Sequence, residues 1–234
     1  MKKSGLATLL LLLTGMFSFS QGLLPVNRWT PVKIDSIRET YGGTGKFNWL
    51  RPMGLDAADI DHDGYKDILC GWYIYRNPGS DISEKRTRTE LPLKVDGFAF
   101  VDVDDDGYLD IIAQALPNVY WLKTKDPGAF SWTVIKIGEV PVCADMNSQG
   151  YEVTDMIPGG KPEILLSTGS GTHMFEIPVH PEEGNWPLLK ITNARSDEGI
   201  AIGDIDKDGF PDLVCGDIPE NDKEGLATLL HWYK

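Results

Sequence analysis

Sulfur and imidazole are scarce: 234 residues hold 3 Cys and 4 His. Three is an odd number, so the chain is not built on a disulfide framework. Cys70 follows Asp67-Ile68-Leu69 and Cys215 follows Asp212-Leu213-Val214, which reads as a small buried residue on a strand, and Cys143 has no nucleophile's surroundings. His62, His173, His180 and His231 are scattered without the spacing of a zinc triad. Basic residues are also short, 22 Lys and Arg against 35 Asp and Glu, for a formal charge of −13. That balance excludes nucleic acid as a partner, because a phosphate backbone selects for a basic face. No Gly-x-Ser-x-Gly, His-Glu-x-x-His or nucleotide-binding loop occurs, and the glycines at 169–171 are too few to make one.

Long apolar runs are missing as well. The longest, about Leu6 to Phe17 with leucine at every position from 9 to 13, falls short of the ~20 residues that cross a bilayer. Met1-Lys2-Lys3 before it and Ser18-Phe19-Ser20 after it give the pattern of a secretory signal spanning 1–20, with the mature chain starting near Gln21. No membrane insertion is expected, and the protein is expected to be exported to the periplasm, the cell surface or the medium.

What the chain has in quantity is glycine (25), proline (15) and short β-branched or aromatic runs, the composition of a turn-rich β protein. Its acidity is concentrated in a repeated turn. Asp59-Ile-Asp61-His-Asp63-Gly64-Tyr65-Lys-Asp67, Asp102-Val-Asp104-Asp-Asp106-Gly107-Tyr108-Leu-Asp110 and Asp204-Ile-Asp206-Lys-Asp208-Gly209-Phe210-Pro-Asp212 are near copies. A degraded copy runs Asp155-Met-Ile157-Pro-Gly159-Gly160-Lys-Pro-Glu163. The copies start 43, 53 and 49 residues apart, and a fixed period of this size marks a repeat architecture. The twelve aspartates at positions 1, 3, 5 and 9 of the three intact turns, at 59–67, 102–110 and 204–212, make up about a third of all the acids.

Each turn lies between an alternating segment such as Phe98–Val101 and an apolar one such as Asp110–Ala113, so it reads as the tip of a β-hairpin. An aromatic strand follows (Val119–Lys123; Leu229–Tyr233), then a fourth with a shared pattern (Arg86–Leu91; Trp132–Ile137; Trp186–Ile191). Four antiparallel strands per unit of this length make a propeller blade, so residues 21–234 are expected to form an all-β propeller with four recognisable blades. The fourth-strand pattern also occurs early, as Trp29–Ile34, while the last unit ends after its third strand. Either four blades close on themselves, with Trp29–Ile34 pairing beside Tyr233, or the chain is part of a larger propeller.

Carboxylates at positions 1, 3, 5 and 9, with glycine at 6 permitting the sharp bend, suit a hard cation that wants six to eight oxygens, Ca²⁺ above all. An EF-hand would need Glu at position 12, where Cys70, Ala113 and Cys215 stand, and would need helical flanks. The repeat resembles instead the FG-GAP or VCBS family, which includes the integrin α propeller and many exported bacterial proteins, although the literal Phe-Gly and Gly-Ala-Pro signature is absent. The resemblance spans Trp29 to Lys234. It implies about three Ca²⁺ ions, held by Asp59, Asp61, Asp63, the Tyr65 carbonyl and Asp67; by Asp102, Asp104, Asp106, the Tyr108 carbonyl and Asp110; and by Asp204, Asp206, Asp208, the Phe210 carbonyl and Asp212. The degenerate turn at 155–163 lacks these ligands and is expected to be empty. A shell filled by protein oxygens leaves no open position for substrate, so the metal reads as structural.

Loops on the face opposite the acidic turns are where a ligand is expected. Glu39 to Arg51 combines glycines with Tyr41, Lys46, Trp49 and Arg51, aromatic and polar groups of the kind that stack on and hydrogen-bond a sugar. Residues 217–224 form an acidic counterpart, and His173 is placed near the central mouth. The chain therefore reads as an exported, calcium-stabilised module that binds a glycan or a protein. The competing reading is a carbohydrate-active enzyme of the polysaccharide lyase or sugar dehydratase type, as some propellers of this appearance are.

Overall fold

A computed structural model of the chain describes residues 31–36, 53–81, 84, 86–142, 147–195, 198–217 and 229–234. The signal segment 1–20, Trp29, Tyr41, Lys46, Trp49, Arg51, Cys143 and most of the 217–224 loop lie outside the described residues. By its internal contacts the chain divides into two units, Met1–Lys33 and Ile34–Lys234.

The unit Ile34–Lys234 is built from antiparallel strands joined in sequence order. The first sheet holds β1 (Leu55–Ala58), β2 (Asp67–Cys70), β3 (Tyr73–Arg76) and β4 (Thr87–Glu90). The second holds β5 (Asp96–Val101), β6 (Asp110–Ala115), β7 (Asn118–Asp126) and β8 (Ser131–Glu139). The third holds β9 (Tyr151–Thr154), β10 (Glu163–Thr168), β11 (Gly171–Phe175) and β12 (Leu188–Lys190), and the fourth holds β13 (Ile200–Gly203), β14 (Asp212–Asp217) and β15 (Leu229–Tyr233). Every acidic turn joins the first and second strands of its sheet, as the hairpin reading requires. The one helical element among the described residues is a single 3₁₀ turn, Pro181–Glu183.

The strands behave as their sequences dictate. β6 (DIIAQA) and β10 (EILLST) show no apolar–polar alternation and are buried along nearly their whole length, their polar Asp110, Gln114 and Glu163 included. A strand buried on both faces must have a layer on each side, and the core shows those layers. Ile111, Ala113 and Leu122 pack on Leu69, Tyr73 and Ile74 of the first sheet and on Trp72 of its β2–β3 turn, while Ile112, Val119 and Trp121 pack on Ile164, Leu166 and Phe175 of the third and on Trp186 just before β12. Successive residues of β6 thus serve opposite neighbours, which is the period-2 rule applied to a central layer.

The inner strands approach closely. A Cβ on Gly54 would lie 2.2 Å from the Gly97 carbonyl oxygen, so only glycine fits there. Gly54, Gly97, Gly150 and Gly199 each stand five residues before an acidic turn. The Gly54 amide donates to the buried Asp96 carboxylate at 2.9 Å, and the Tyr151 hydroxyl donates to the Met53 carbonyl at 3.1 Å. The first strands of three sheets therefore converge on one cavity of about 350 Å³, lined by Leu55 and Asp56, Phe98 to Phe100, and Tyr151 to Val153.

Closure of four blades on themselves, one of the two alternatives, is not seen among the described residues. Pro31–Ser36 belongs to no strand, and β15 pairs with β14 alone among the described residues. Asp35 is drawn instead to the first sheet, where it accepts from Arg88 at 2.8 Å and from the Tyr75 hydroxyl at 2.9 Å. His173 is not among the residues lining the cavity. It sits inside β11, 6% exposed, with Nδ1 3.1 Å from the Gly171 carbonyl oxygen, and burial lowers its pKa.

Candidate metal centres

The three intact turns share one hydrogen-bond pattern. The first-position carboxylate accepts from the amides of positions 5 and 6: Asp59 from Asp63 and Gly64 (3.0 and 2.9 Å), Asp102 from Asp106 and Gly107 (3.2 and 3.0 Å), Asp204 from Asp208 and Gly209 (3.0 and 3.1 Å). The fifth-position carboxylate accepts from position 7, at 2.8, 2.9 and 3.0 Å. The ninth reaches back to the amide of position 2, from Asp67 to Ile60, Asp110 to Val103 and Asp212 to Ile205. Position 4 adopts positive φ in all three (His62, Asp105, Lys207), and position 6 is glycine at φ 87 to 93°. The chain thus wraps each turn so that its carboxylates point inward.

The consequence is three clusters of acidic oxygens: Asp59, Asp61 and Asp67; Asp102, Asp104 and Asp106; Asp204, Asp206 and Asp212. In each, oxygens of the three residues lie within 4.8 Å of one another. The Asp61 side chain is only 9% exposed, and its Oδ1, like that of Asp104, is buried and accepts no hydrogen bond among the described residues. An orphaned carboxylate oxygen is costly, and one aimed into a cluster of its own kind fits a hard cation. Burial pushes Asp67 and Asp110 up to about 6, helped by the neighbouring aspartates. Those ninth-position residues also tie the turn to the third strand, since Asp67 accepts from Asn77 and Asp110 from Thr124, both at 2.7 Å.

In the degenerate turn the ninth-position contact survives with a longer side chain, Glu163 accepting from the amides of Met156 (2.8 Å) and Ile157 (3.1 Å). No acidic cluster forms there among the described residues. Its Lys161 reaches into the second turn, meeting Asp105 at 2.8 Å and the Val103 carbonyl. His62 stacks on Tyr108 at 5.7 Å, joining the first turn to the second.

Each intact turn also has a basic partner that the sequence reading did not single out. Arg76 meets Asp61 at 2.9 Å, Lys123 meets Asp104 and Lys234 meets Asp206. The contact raises the pKa of both lysines and lowers that of Asp206.

No family model matches the chain. The integrin alpha pat-2 of Caenorhabditis elegans is similar, 26% identical over 170 residues that cover 68% of this chain and 12% of that protein. A solved structure described as an Agrocybe aegerita lectin recognising non-reducing terminal N-acetylglucosamine matches with a TM-score of 0.43 and 13% identity, over 68% of this chain and 46% of that one. The chain thus resembles part of an integrin α subunit, spanning about an eighth of its length.

Proposed function

We propose that the chain is an exported β-propeller module that is stabilised by about three calcium ions and binds a glycan or protein ligand without chemistry. The observation that carries the metal half is the threefold repetition of one oxygen cage, with buried Oδ1 atoms of Asp61 and Asp104 left without hydrogen bonds. Asp59, Asp61, Asp63 and Asp67 would hold the first ion with the Tyr65 carbonyl, and the equivalent residues at 102–110 and 204–212 the other two. Calcium supplies charge neutralisation and a cross-link at the hairpin tip; the turn residues supply the oriented oxygens, and Asp67 and Asp110 transmit the link to the third strand. The layered sheets and the cavity ringed by first strands support the propeller. The partial likeness to an integrin α subunit supports repeats of the family named above.

Binding rather than catalysis follows from where the chemistry lies. A cation whose shell is filled by the turn's own oxygens would leave no open position for a reacting group. The ligand is assigned to segment 39–51, which carries Tyr41, Lys46, Trp49 and Arg51 and lies outside the described residues. Screening the full chain on a glycan array and a panel of cell-surface proteins, in calcium and in chelator, tests this reading. Binding that needs calcium and weakens with Trp49→Ala is expected. Release of unsaturated sugar products from acidic polysaccharides would overturn it in favour of an enzyme.

A further inference from the structure

The basic residue beside each acidic turn occupies one structural position. Tyr75, Leu122 and Tyr233 pair across the sheet with Ile68, Ile111 and Leu213, the residues that follow the ninth-position aspartates. The next residue on each third strand is Arg76, Lys123 or Lys234. In the third sheet Phe175 pairs with Ile164, and the next residue is Glu176. The cation is thus present where the oxygen cage is present, and an acid replaces it where the cage is lost.

Local packing aims each cation at its turn. Arg76 lies over the Phe130 ring at 4.2 Å and donates to the Gly128 carbonyl at 2.9 Å. The ammonium groups of Lys123 and Lys234 lie 5.6 and 5.7 Å from the rings of Trp121 and Trp232, two residues earlier on the same strand. In all three the acceptor is Oδ2 of the third-position aspartate, an atom of the same carboxylate that belongs to the cage.

We propose that Arg76, Lys123 and Lys234 are built-in counter-ions of the acidic turns, which hold the carboxylates together before a divalent cation arrives and compete with it, so setting its affinity. The inference rests on the calcium reading above. One positive charge on a flexible stem can relieve the repulsion among the carboxylates only partly, whereas a divalent ion does so with several oxygens at once. The basic group therefore weakens metal binding and supports the metal-free turn.

Titrating calcium into chelator-stripped full-length protein, and melting it with and without chelator, tests this in Arg76→Met, Lys123→Met and Lys234→Met, which keep the apolar stem. Each variant is expected to bind calcium about two- to fivefold more tightly at one site, the range of an exposed ion pair. Each is expected to melt about 1–4 °C lower in chelator, with Lys123→Arg behaving as wild type. Lys136→Met is the control, since Lys136 pairs with Glu139 away from any turn. An equal gain in affinity from that control would reduce the effect to net charge and overturn the proposal. So would unchanged affinity in the three variants beside a wild type that binds calcium. If neither wild type nor variants bind calcium, the metal reading falls and the competition with it, while the melts in chelator still report whether the counter-ion role stands.

Discussion

Asp110 separates the structural part of an acidic turn from its metal part. Its carboxylate is fully buried, accepts from the Thr124 amide at 2.7 Å and the Val103 amide at 3.2 Å, and is held near pKa 6 by burial. Keeping a carboxyl charged at pH 7.5 when its pKa has moved from 3.8 to about 6 costs ~3 kcal/mol. Asp110→Asn removes that cost and keeps an acceptor, but buries an amide group with no partner supplied, worth ~1–3 kcal/mol. In chelator the two effects nearly cancel, and the variant should melt within a few degrees of wild type. In calcium at a hundred times its Kd the wild type gains ~2.7 kcal/mol per site by linkage, and the variant should lose most of it at one site, a drop of roughly 5–11 °C. A folded-state pKa raised above the unfolded value means a contribution fully present below pH 3.8 that is lost as pH rises through about 6. Wild type in chelator should therefore gain stability from this group on going from pH 7.5 to 5, and Asp110→Asn should lack that gain. Differential scanning calorimetry of both proteins in both buffers reads all four numbers. An equal loss in chelator and in calcium would show that Asp110 is only a backbone brace and that no metal depends on it.

Other outcomes follow from the same reasoning. Asp96, 2% exposed and pushed by burial to about 7, contributes stability that is lost between pH 3.8 and 7, so Asp96→Asn should flatten the melting profile over that window; an unchanged slope would contradict it. Asp104→Asn should lower the calcium count by one, whereas Asp105→Asn, whose side chain is exposed and faces Lys161, should leave it intact, as measured by titration. Phe175→Ala should cost ~3–5 kcal/mol in denaturant melts, because Phe175 is fully buried between the second and third sheets.

The strands were legible where hydrophobic pattern and turn chemistry agreed. Leu229–Tyr233 is β15 to the residue, and Asp67–Cys70 is β2. The acidic turns were legible for the same reason: their converging carboxylates come from one short stretch, so the spacing survives in sequence. The basic partners were not, because they follow the ninth-position aspartate by 9, 13 and 22 residues; the hairpin loops differ in length, and only strand register aligns them. The glycine five residues before each turn was not singled out in the sequence, because at Gly54, Gly97 and Gly150 its cause, a neighbouring segment at contact distance, is tertiary. The burial of His173 inside β11 was not legible either, because it depends on the strands that flank it.

Calorimetric titration of calcium into the chelator-stripped chain tests the central claim most directly. About three ions should bind, the melting temperature should rise with calcium and fall back with chelator, and Asp61→Asn should remove one ion from the count. Absence of heat, together with a melting temperature indifferent to chelator, would contradict the account and leave the acidic turns as hairpin tips held by their own amides and their basic partners.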